Sequence, residues 1–282
     1  MPDHFRSAPD RGPNVERRRL LVVAAGGVLV GIGTLAGRHG TRAASAAPAG
    51  STARGSTAPP AARRAVAAAG PSPTREPARV DAVRGPVPAQ PVYYLDDGPH
   101  VIALTIDDGP SPVYTPQVLR VLERYGVRAT FSMVGENVSY YPAVAKDVAE
   151  AGHTIINHTW DHANLTSLSA AAQRAEITRA TDAIQAASGV QPRMFRAPYG
   201  AWSPRVLKFC AAEGLIPLDW SVDPRDWSRP GVREIVGTIM KTTKSGSIIL
   251  EHDGGGDRSE TVAALKIVLP RLLDEGYRFA IP

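Results

Sequence analysis

The sequence predicts an α/β fold on a parallel β-sheet, because apolar strands and amphipathic helices alternate about six times between residues 93 and 282. Short apolar runs typical of buried strands precede segments whose apolar residues recur at helical spacing. Such a sheet is either doubly wound or closed as a barrel. In a parallel barrel, the chemistry takes place at the C-terminal ends of the strands.

Each element can be placed along the chain. Strands are predicted at residues 101–106, 129–134, 154–157, 193–196, 216–221, 247–250 and 278–281. Helices are predicted at residues 116–125, 143–151, 170–187, 204–213, 232–242 and 261–275. Most of these helices end at or near a glycine, namely Gly126, Gly152, Gly189, Gly214 and Gly276.

Charge is distributed unevenly along the chain. Residues 1–92 contain 13 Lys and Arg against 5 Asp and Glu, whereas residues 93–282 contain 19 against 22. A nucleic-acid-binding domain would carry the positive charge itself, so we predict no nucleic-acid partner for the folded part. The single cysteine, Cys210, excludes an intramolecular disulfide and a cysteine-based zinc site. Its apolar helical context predicts a core residue.

Residues 1–36 are predicted to be an export signal or a membrane anchor. Three arginines, Arg17–Arg19, precede the apolar or small run Leu20–Ala36. Cleavage near Ala44–Ala46 would release the protein, whereas an uncleaved run would anchor it in the membrane. Both alternatives predict an exported protein, either secreted or held at the outer face of the cytoplasmic membrane. Residues 37–92, rich in Ala, Pro, Gly, Ser and Arg, predict a disordered linker before the folded domain at residues 93–282.

Two polar motifs follow the first and third predicted strands. Asp107 and Asp108 are adjacent carboxylates, which are costly to bury without a cation or a shared proton, although Asp-Asp-Gly is also a common turn. His158 and His162 are four residues apart, a spacing that places two side chains on one face of a helical turn where they can bind one metal. Surface or core roles are also open to both histidines.

Three more predicted strand ends carry polar or aromatic residues. Arg196 can bind a carboxylate bidentately or form a structural salt bridge. Trp227 suits sugar binding, a small apolar pocket or core packing. His252 follows the sixth strand. Together the motifs supply a base, three metal ligands, an electrophilic positioning group, an apolar pocket and an acid.

These motifs resemble those of the NodB-homology polysaccharide deacetylases, carbohydrate esterase family 4, over about residues 93–282. The matching motifs are Thr105–Gly109, His158–His162, Arg196–Tyr199, Asp223–Trp227 and Leu250–His252. Ile106 stands where the family usually has Phe, a conservative departure. The resemblance implies a distorted parallel β/α barrel, here of about seven strands, with zinc or cobalt as the usual metal. It also implies hydrolysis of N-acetyl groups.

The resemblance implies roles for individual residues as well. Asp108, His158 and His162 resemble the metal ligands. Asp107 would be the general base that deprotonates the attacking water, and His252 would protonate the departing amine.

Five further residues would support this chemistry. Arg196 would orient Asp107, and Asp226, rather than Asp223, would support His252. The backbone N–H of Tyr199 would stabilise the oxyanion. Trp227 and Leu250 would line a pocket for the acetyl methyl group.

We therefore predict metal-dependent hydrolysis of N-acetyl groups on cell-wall amino sugars, foremost N-acetylglucosamine of peptidoglycan. The alternatives are a chitooligosaccharide deacetylase, an acetylxylan esterase and a wall-binding domain without activity, and the complete set of motif residues argues against the last. The predicted cofactor is a divalent metal, zinc with cobalt as the alternative. The predicted partner is cell-wall polysaccharide, with membrane contact only through the N-terminal segment, and we expect a monomer.

Overall fold

A computed structural model describes residues 87–282 of the chain. The predicted signal or anchor, residues 1–36, and nearly all of the predicted linker lie outside these described residues. Within residues 87–282, no helix combines the length and apolar character needed to cross a membrane.

The described part contains seven strands in one sheet. They are β1 (Val101–Asp107), β2 (Thr130–Met133), β3 (Thr154–Asn157), β4 (Met194–Phe195), β5 (Ile216–Pro217), β6 (Ile248–His252) and β7 (Arg278–Phe279). The strand order is β5-β4-β3-β2-β1-β6, and β7 pairs with the first residues of β1. Every pair is parallel. The predicted parallel α/β architecture of about seven strands is confirmed.

The sheet curls toward a barrel, because the chain beyond β5 returns to the opposite edge strand. Val222 forms a parallel bridge with Ile249 of β6. The N–H of Leu250 donates to the Val222 carbonyl at 2.9 Å. Residues 92–95 also connect the two sides, since Val92 bridges to Leu218 and Tyr94 to Ser247. These short bridges leave the barrel distorted and incompletely closed.

The same range contains seven α-helices, and their ends follow from local sequence. They are α1 (Thr115–Tyr125), α2 (Gly135–Tyr140), α3 (Pro142–Glu150), α4 (Ala170–Ser188), α5 (Pro204–Glu213), α6 (Val232–Thr242) and α7 (Ser259–Asp274). The side chains of Ser169 and Ser203 cap α4 and α5 by accepting backbone N–H bonds. Gly126 and Gly214 adopt the left-handed conformation that ends α1 and α5.

Two elements differ from the sequence prediction. Helix α2 was not predicted, because its six residues show no amphipathic repeat; it begins where Gly135 and Glu136 donate N–H bonds to the Thr159 and Trp160 carbonyls. Strand β5 was predicted to run to residue 221 but ends at Pro217. The Leu218 N–H still donates to the Phe195 carbonyl of β4, but Leu218 also bridges to Val92, and the chain then crosses to β6.

The alternation of side chains along the strands separates the core from the site. Ile102, Leu104 and Ile106 of β1 face outward and pack in the cluster between sheet and helices. Ala103 faces inward and belongs to an apolar cluster inside the curled sheet, with Ile156, Met194, Leu218 and Ile248. Further along the same inward face, Thr105 and Asp107 follow Ala103. The interior therefore changes from apolar to polar toward the C-terminal ends of the strands.

The domain start at residue 93 stays a prediction. The residues just before and after it, Val92 and Leu95, form backbone hydrogen bonds with residues in or next to the sheet. The Val92 N–H donates to the Pro217 carbonyl at 2.9 Å, the Val92 carbonyl accepts from Asp219 at 2.8 Å, and the Leu95 N–H donates to Gly246 at 2.8 Å. Val92 and Leu95 also pack against the inner apolar cluster.

We expect a chain that starts at residue 87 to fold, and a chain that starts at residue 97 to be less stable. Loss of three backbone hydrogen bonds costs about 3 kcal/mol, which corresponds to a Tm roughly 6–12 °C lower for a domain of this size. Thermal unfolding followed by circular dichroism measures the difference. Equal Tm values for the two chains would show that residues 91–96 contribute nothing to the fold.

Candidate active site

The predicted site residues gather at the C-terminal ends of the strands. Asp107 is the last residue of β1 and lies in register with His252, the last residue of β6. His158 follows β3, and Arg196 follows β4. The candidate metal ligands, the candidate base and the candidate acid therefore share this end of the sheet.

Asp108, His158 and His162 form a candidate metal-ligand cluster, with one potential ligand atom of each within 4.8 Å of the others. The Oδ1 atom of Asp108 lies 3.2 Å from His162 Nε2 and 3.5 Å from His158 Nε2. This oxygen is buried and makes no bond of hydrogen-bonding geometry to any described residue. A buried carboxylate oxygen that faces two imidazole nitrogens is suited to a cation.

The second nitrogen of each imidazole fixes how the ring is presented. His158 Nδ1 lies 2.8 Å from the Arg196 carbonyl, which only accepts, so Nδ1 carries the proton and Nε2 offers its lone pair. His162 Nδ1 lies 3.2 Å from the Tyr199 hydroxyl. Such outer contacts orient metal-binding histidines. Burial and the charge of His158 lower the pKa of His162, which favours the neutral form that binds a metal.

Electrostatics also favour the ionised form of Asp108. Burial alone would raise the pKa of its carboxyl group, but the close approach of the His158 imidazole outweighs burial. The charges of His252 and His162 add to this effect, and the pKa lies below its usual range.

The His158–His162 motif does not form the helical turn that its spacing suggested. Thr159 and His162 have φ values of 67° and 63°, so the segment is a loop that passes through the left-handed region. Both rings nevertheless face Asp108, because the loop folds back over the end of β3. The structure brings the two histidines together through a loop rather than through the predicted helical turn.

Two residues that the sequence interpretation missed hold this loop. Asn157 Oδ1 accepts the Thr159 N–H at 2.8 Å. Glu176 Oε2, on α4, accepts the N–H groups of Trp160 and Asp161 at 3.0 and 3.1 Å. An Asn at a strand end next to a candidate ligand was a usable signal. Glu176 gave none, because only the tertiary fold brings α4 to the loop.

Asp107 is oriented by Arg196, which is fully buried inside the curled sheet. Arg196 Nη1 donates to Asp107 Oδ1 at 2.7 Å and to Thr105 Oγ1 at 2.8 Å. Nη2 donates instead to the Asp219 carbonyl at 2.9 Å. Of the two alternatives, Arg196 forms a salt bridge to Asp107 through one nitrogen rather than a bidentate contact, since the second nitrogen meets the backbone beyond β5. Asp107 Oδ2 remains 3.7 Å from His158 Nε2, on the side of the ligand cluster.

His252 is held by Asp226. The His252 Nδ1 lies 2.7 Å from Asp226 Oδ1, and Asp226 Oδ2 accepts the His252 N–H at 2.9 Å and the Thr261 hydroxyl at 2.6 Å. Burial would lower the pKa of His252, but the hydrogen bond and charge of Asp226 and the charges of Asp108 and Asp107 raise it to about 9. The structure brings Asp226 to His252, whereas Asp223 caps the Arg225 N–H at 2.8 Å.

The predicted substrate-contacting residues differ in exposure. Tyr199 has a φ of 63° and a ring edge-on to His162, with 68% of its surface exposed. Trp227 is 45% exposed in the short helical turn Asp226–Ser228. Leu250 is 3% exposed and in register with Thr105, so it lies below His252 on the inward face of β6.

A glycine run after β6 closes over the candidate ligand Asp108, and the sequence interpretation did not use it. A Cβ atom at Gly254 would collide with the Asp108 carbonyl. A Cβ at Gly255 would lie 2.9 Å from Asp108 Oδ2. Arg258 binds this loop, since its Nε donates to the Gly254 carbonyl at 2.6 Å. Three consecutive glycines directly after a candidate catalytic strand were a visible sign of close backbone approach.

Comparisons with known proteins show which family this chain resembles. Residues 95–216 match the family model described as polysaccharide deacetylase. A peptidoglycan-N-acetylglucosamine deacetylase of Bacillus cereus is 44% identical over 181 residues, which cover 64% of this chain and 84% of the relative. A chitooligosaccharide deacetylase of Sinorhizobium fredii is 41% identical over 187 residues, 62% of this chain and 87% of the relative.

Solved structures include one with the same arrangement of strands and helices. A crystal structure of a peptidoglycan N-acetylglucosamine deacetylase in complex with a hydroxamate-type benzamide superposes with a TM-score of 0.65 at 32% identity, covering 67% of this chain and 88% of that one. The chain therefore belongs to the polysaccharide deacetylase family, the NodB-homology enzymes of carbohydrate esterase family 4.

Proposed function

We propose that this chain removes acetyl groups from N-acetylglucosamine units of peptidoglycan with the help of a divalent metal. The observation that carries the proposal is the buried Asp108 oxygen facing two histidine Nε2 atoms, with Asp107 and His252 beside it. The Bacillus cereus relative and the superposed crystal structure support peptidoglycan as the substrate.

The residues present fit a zinc or cobalt ion, which Asp108, His158 and His162 would hold. One carboxylate and two imidazoles are a donor set that both ions accept, and three protein ligands leave positions open. When bound, the ion supplies polarisation of the amide carbonyl and a more acidic water molecule. We propose zinc as the resident metal.

The chain's own groups would move the protons. Asp107, with Oδ1 fixed by Arg196 and Oδ2 toward the ligand cluster, takes the proton of the attacking water. His252, whose Nδ1 is bound to Asp226, gives the proton on its Nε2 to the departing amine as the C–N bond breaks. Acetate and a free amino sugar are the products. The Tyr199 N–H donates to the oxyanion in this scheme, and Trp227 and Leu250 enclose the acetyl methyl group.

A chitooligosaccharide is the second candidate substrate, because the Sinorhizobium fredii relative carries that name and the two substrates share the N-acetylglucosamine unit. Acetate release from purified peptidoglycan, chitin oligomers and acetylxylan, each with and without added zinc or cobalt, tests the proposal. Release from acetylxylan alone would refute it.

We also propose that the protein acts outside the cytoplasm. The support comes from the sequence, where Arg17–Arg19 precede the apolar run Leu20–Ala36. Peptidoglycan lies outside the cytoplasm, so the predicted export segment and the proposed substrate agree. Fractionation of cells that express the full chain tests this location.

The first prediction concerns the metal site. The purified protein should contain about one divalent ion per chain, and a His158→Ala, His162→Ala double variant should lose nearly all of it, because two of three ligands are gone. Elemental analysis measures the content. His100→Ala, an exposed histidine away from the site, is the control and should keep its metal. Stoichiometric metal in the double variant would refute this ligand assignment.

The second prediction separates Asp107 from Asp108. Asp107→Asn keeps the shape of the side chain but cannot accept the proton, so kcat should fall by roughly 10²-fold or more with metal affinity retained. Asp108→Asn should weaken metal affinity, and excess metal should restore part of its activity. Metal titration and kcat of both variants decide the matter. Loss of metal from Asp107→Asn, with retention by Asp108→Asn, would reverse the two roles.

The third prediction concerns pH. The acid form of His252 is needed, so kcat/KM should fall as the pH rises through its pKa of about 9. Asp226→Asn removes the charge that raises this pKa, and the alkaline limb should therefore move to lower pH. Asp223→Asn, in the same loop but without contact to His252, is the matched control. An unmoved limb in Asp226→Asn would show that His252 is not the acid.

A further inference from the structure

Arg225 presents an exposed guanidinium group beside the proposed acetyl pocket. Its Cζ lies 5.1 Å from the centre of the Trp227 ring, a cation–π distance. Trp227 is itself partly exposed, and Asp226, the residue between Arg225 and Trp227, binds His252 of the site. Within residues 87–282, Arg225 makes no salt bridge. An exposed cation held against an aromatic ring is available to a negatively charged ligand.

The backbone around Arg225 is fixed, which gives the side chain a defined direction. Its φ of 56° and ψ of 38° lie in the left-handed region, where Arg is uncommon. Asp223 Oδ1 accepts the Arg225 N–H at 2.8 Å, and the Arg225 carbonyl accepts from the N–H and hydroxyl of Ser228 at 2.9 and 2.8 Å. A strained residue held by three hydrogen bonds next to a site points to a function.

The charges around Trp227 leave Arg225 the most available cation. Arg229 pairs with Asp257 at 3.1 Å. Arg258 is buried, and its Nη1 donates to the Trp227 carbonyl at 3.2 Å. Asp226 is engaged by His252. Neither Asp223 nor Asp226 binds the Arg225 guanidinium group, so Arg225 adds an uncompensated positive charge beside Trp227.

We propose that Arg225 binds a carboxylate carried by the sugar unit next to the N-acetylglucosamine being deacetylated. In peptidoglycan that neighbour is a muramyl unit, with a carboxylate on its lactyl group or on the attached peptide. A chitooligosaccharide has no such charge. Arg225 would therefore make the enzyme prefer acidic glycans over neutral ones, although both carry the same N-acetyl group that is hydrolysed. This inference rests on the proposed function.

The experiment compares two tetrasaccharides in the full-length enzyme. One is neutral chitotetraose, and the other alternates N-acetylglucosamine with N-acetylmuramic acid and has free lactyl carboxylates. Arg225→Gln should lower the ratio of kcat/KM for the acidic over the neutral substrate by about fivefold, mainly through KM, as expected for loss of one partly exposed charge-assisted contact. Arg225→Lys, which keeps the charge, should retain part of the ratio.

Arg124→Gln is the matched control. Arg124 also lies over an aromatic ring, 5.6 Å from the centre of Tyr125, but at the end of α1, away from the strand ends that carry the site. Its ratio should equal that of the unaltered enzyme. Added salt should lower the ratio in the unaltered enzyme and leave it nearly constant in Arg225→Gln.

Two further substrates identify the source of the charge. If the lactyl carboxylate is the ligand, its conversion to a methyl amide should reduce the effect of Arg225→Gln. If a carboxylate of the peptide is the ligand, a peptide-bearing tetrasaccharide should restore that effect. An equal fall of kcat/KM on all substrates, or no fall, would overturn the inference while leaving the deacetylase proposal intact. Failure of the unaltered enzyme on both glycans would refute the proposed function itself.

Discussion

The buried guanidinium of Arg196 is the contact on which the site depends. It ties β1 to the chain beyond β5 through Thr105, Asp107 and the Asp219 carbonyl. Its own backbone extends the connection, since the Arg196 N–H donates to Asn157 and the Arg196 carbonyl meets His158 Nδ1. One residue thereby orients the proposed base and one proposed metal ligand. Because removal of one partner leaves a buried charge uncompensated, at a cost of roughly 3–5 kcal/mol, the arrangement tolerates little change.

Sequence alone predicted most of the architecture, for reasons of periodicity. Strands such as Val101–Asp107 are buried along their whole length and are mostly apolar in sequence. Helices such as Pro204–Glu213 carry a cap, a proline and a terminal glycine in plain view. Helix α2 and the short β5 were not predictable in this way, because hydrogen bonds from distant segments set their limits.

The sequence predicted which residues gather at the site better than it predicted their geometry. Strand ends in a parallel sheet meet at one edge, so Asp107, Arg196 and His252 could be expected together. The loop conformation of His158–His162 and the single-nitrogen contact of Arg196 could not, since both depend on what the folded chain places opposite. Glu176 and Arg258 had no local signal, because each binds a backbone group distant in sequence, at Trp160 and at Trp227 respectively.

The parallel register between β1 and β6 explains how the proposed acid and the proposed base come to lie beside the same scissile amide bond. Asp107 and His252 are paired residues on adjacent strands, and both side chains point into the curled sheet. A shift of either strand by one residue would turn its group outward, toward the helices. Register is fixed from below by Ala103 and Ile248, which pack in the inner apolar cluster. Burial of this small apolar layer therefore fixes the positions of the proposed base and acid, which lie four residues further along the same two strands.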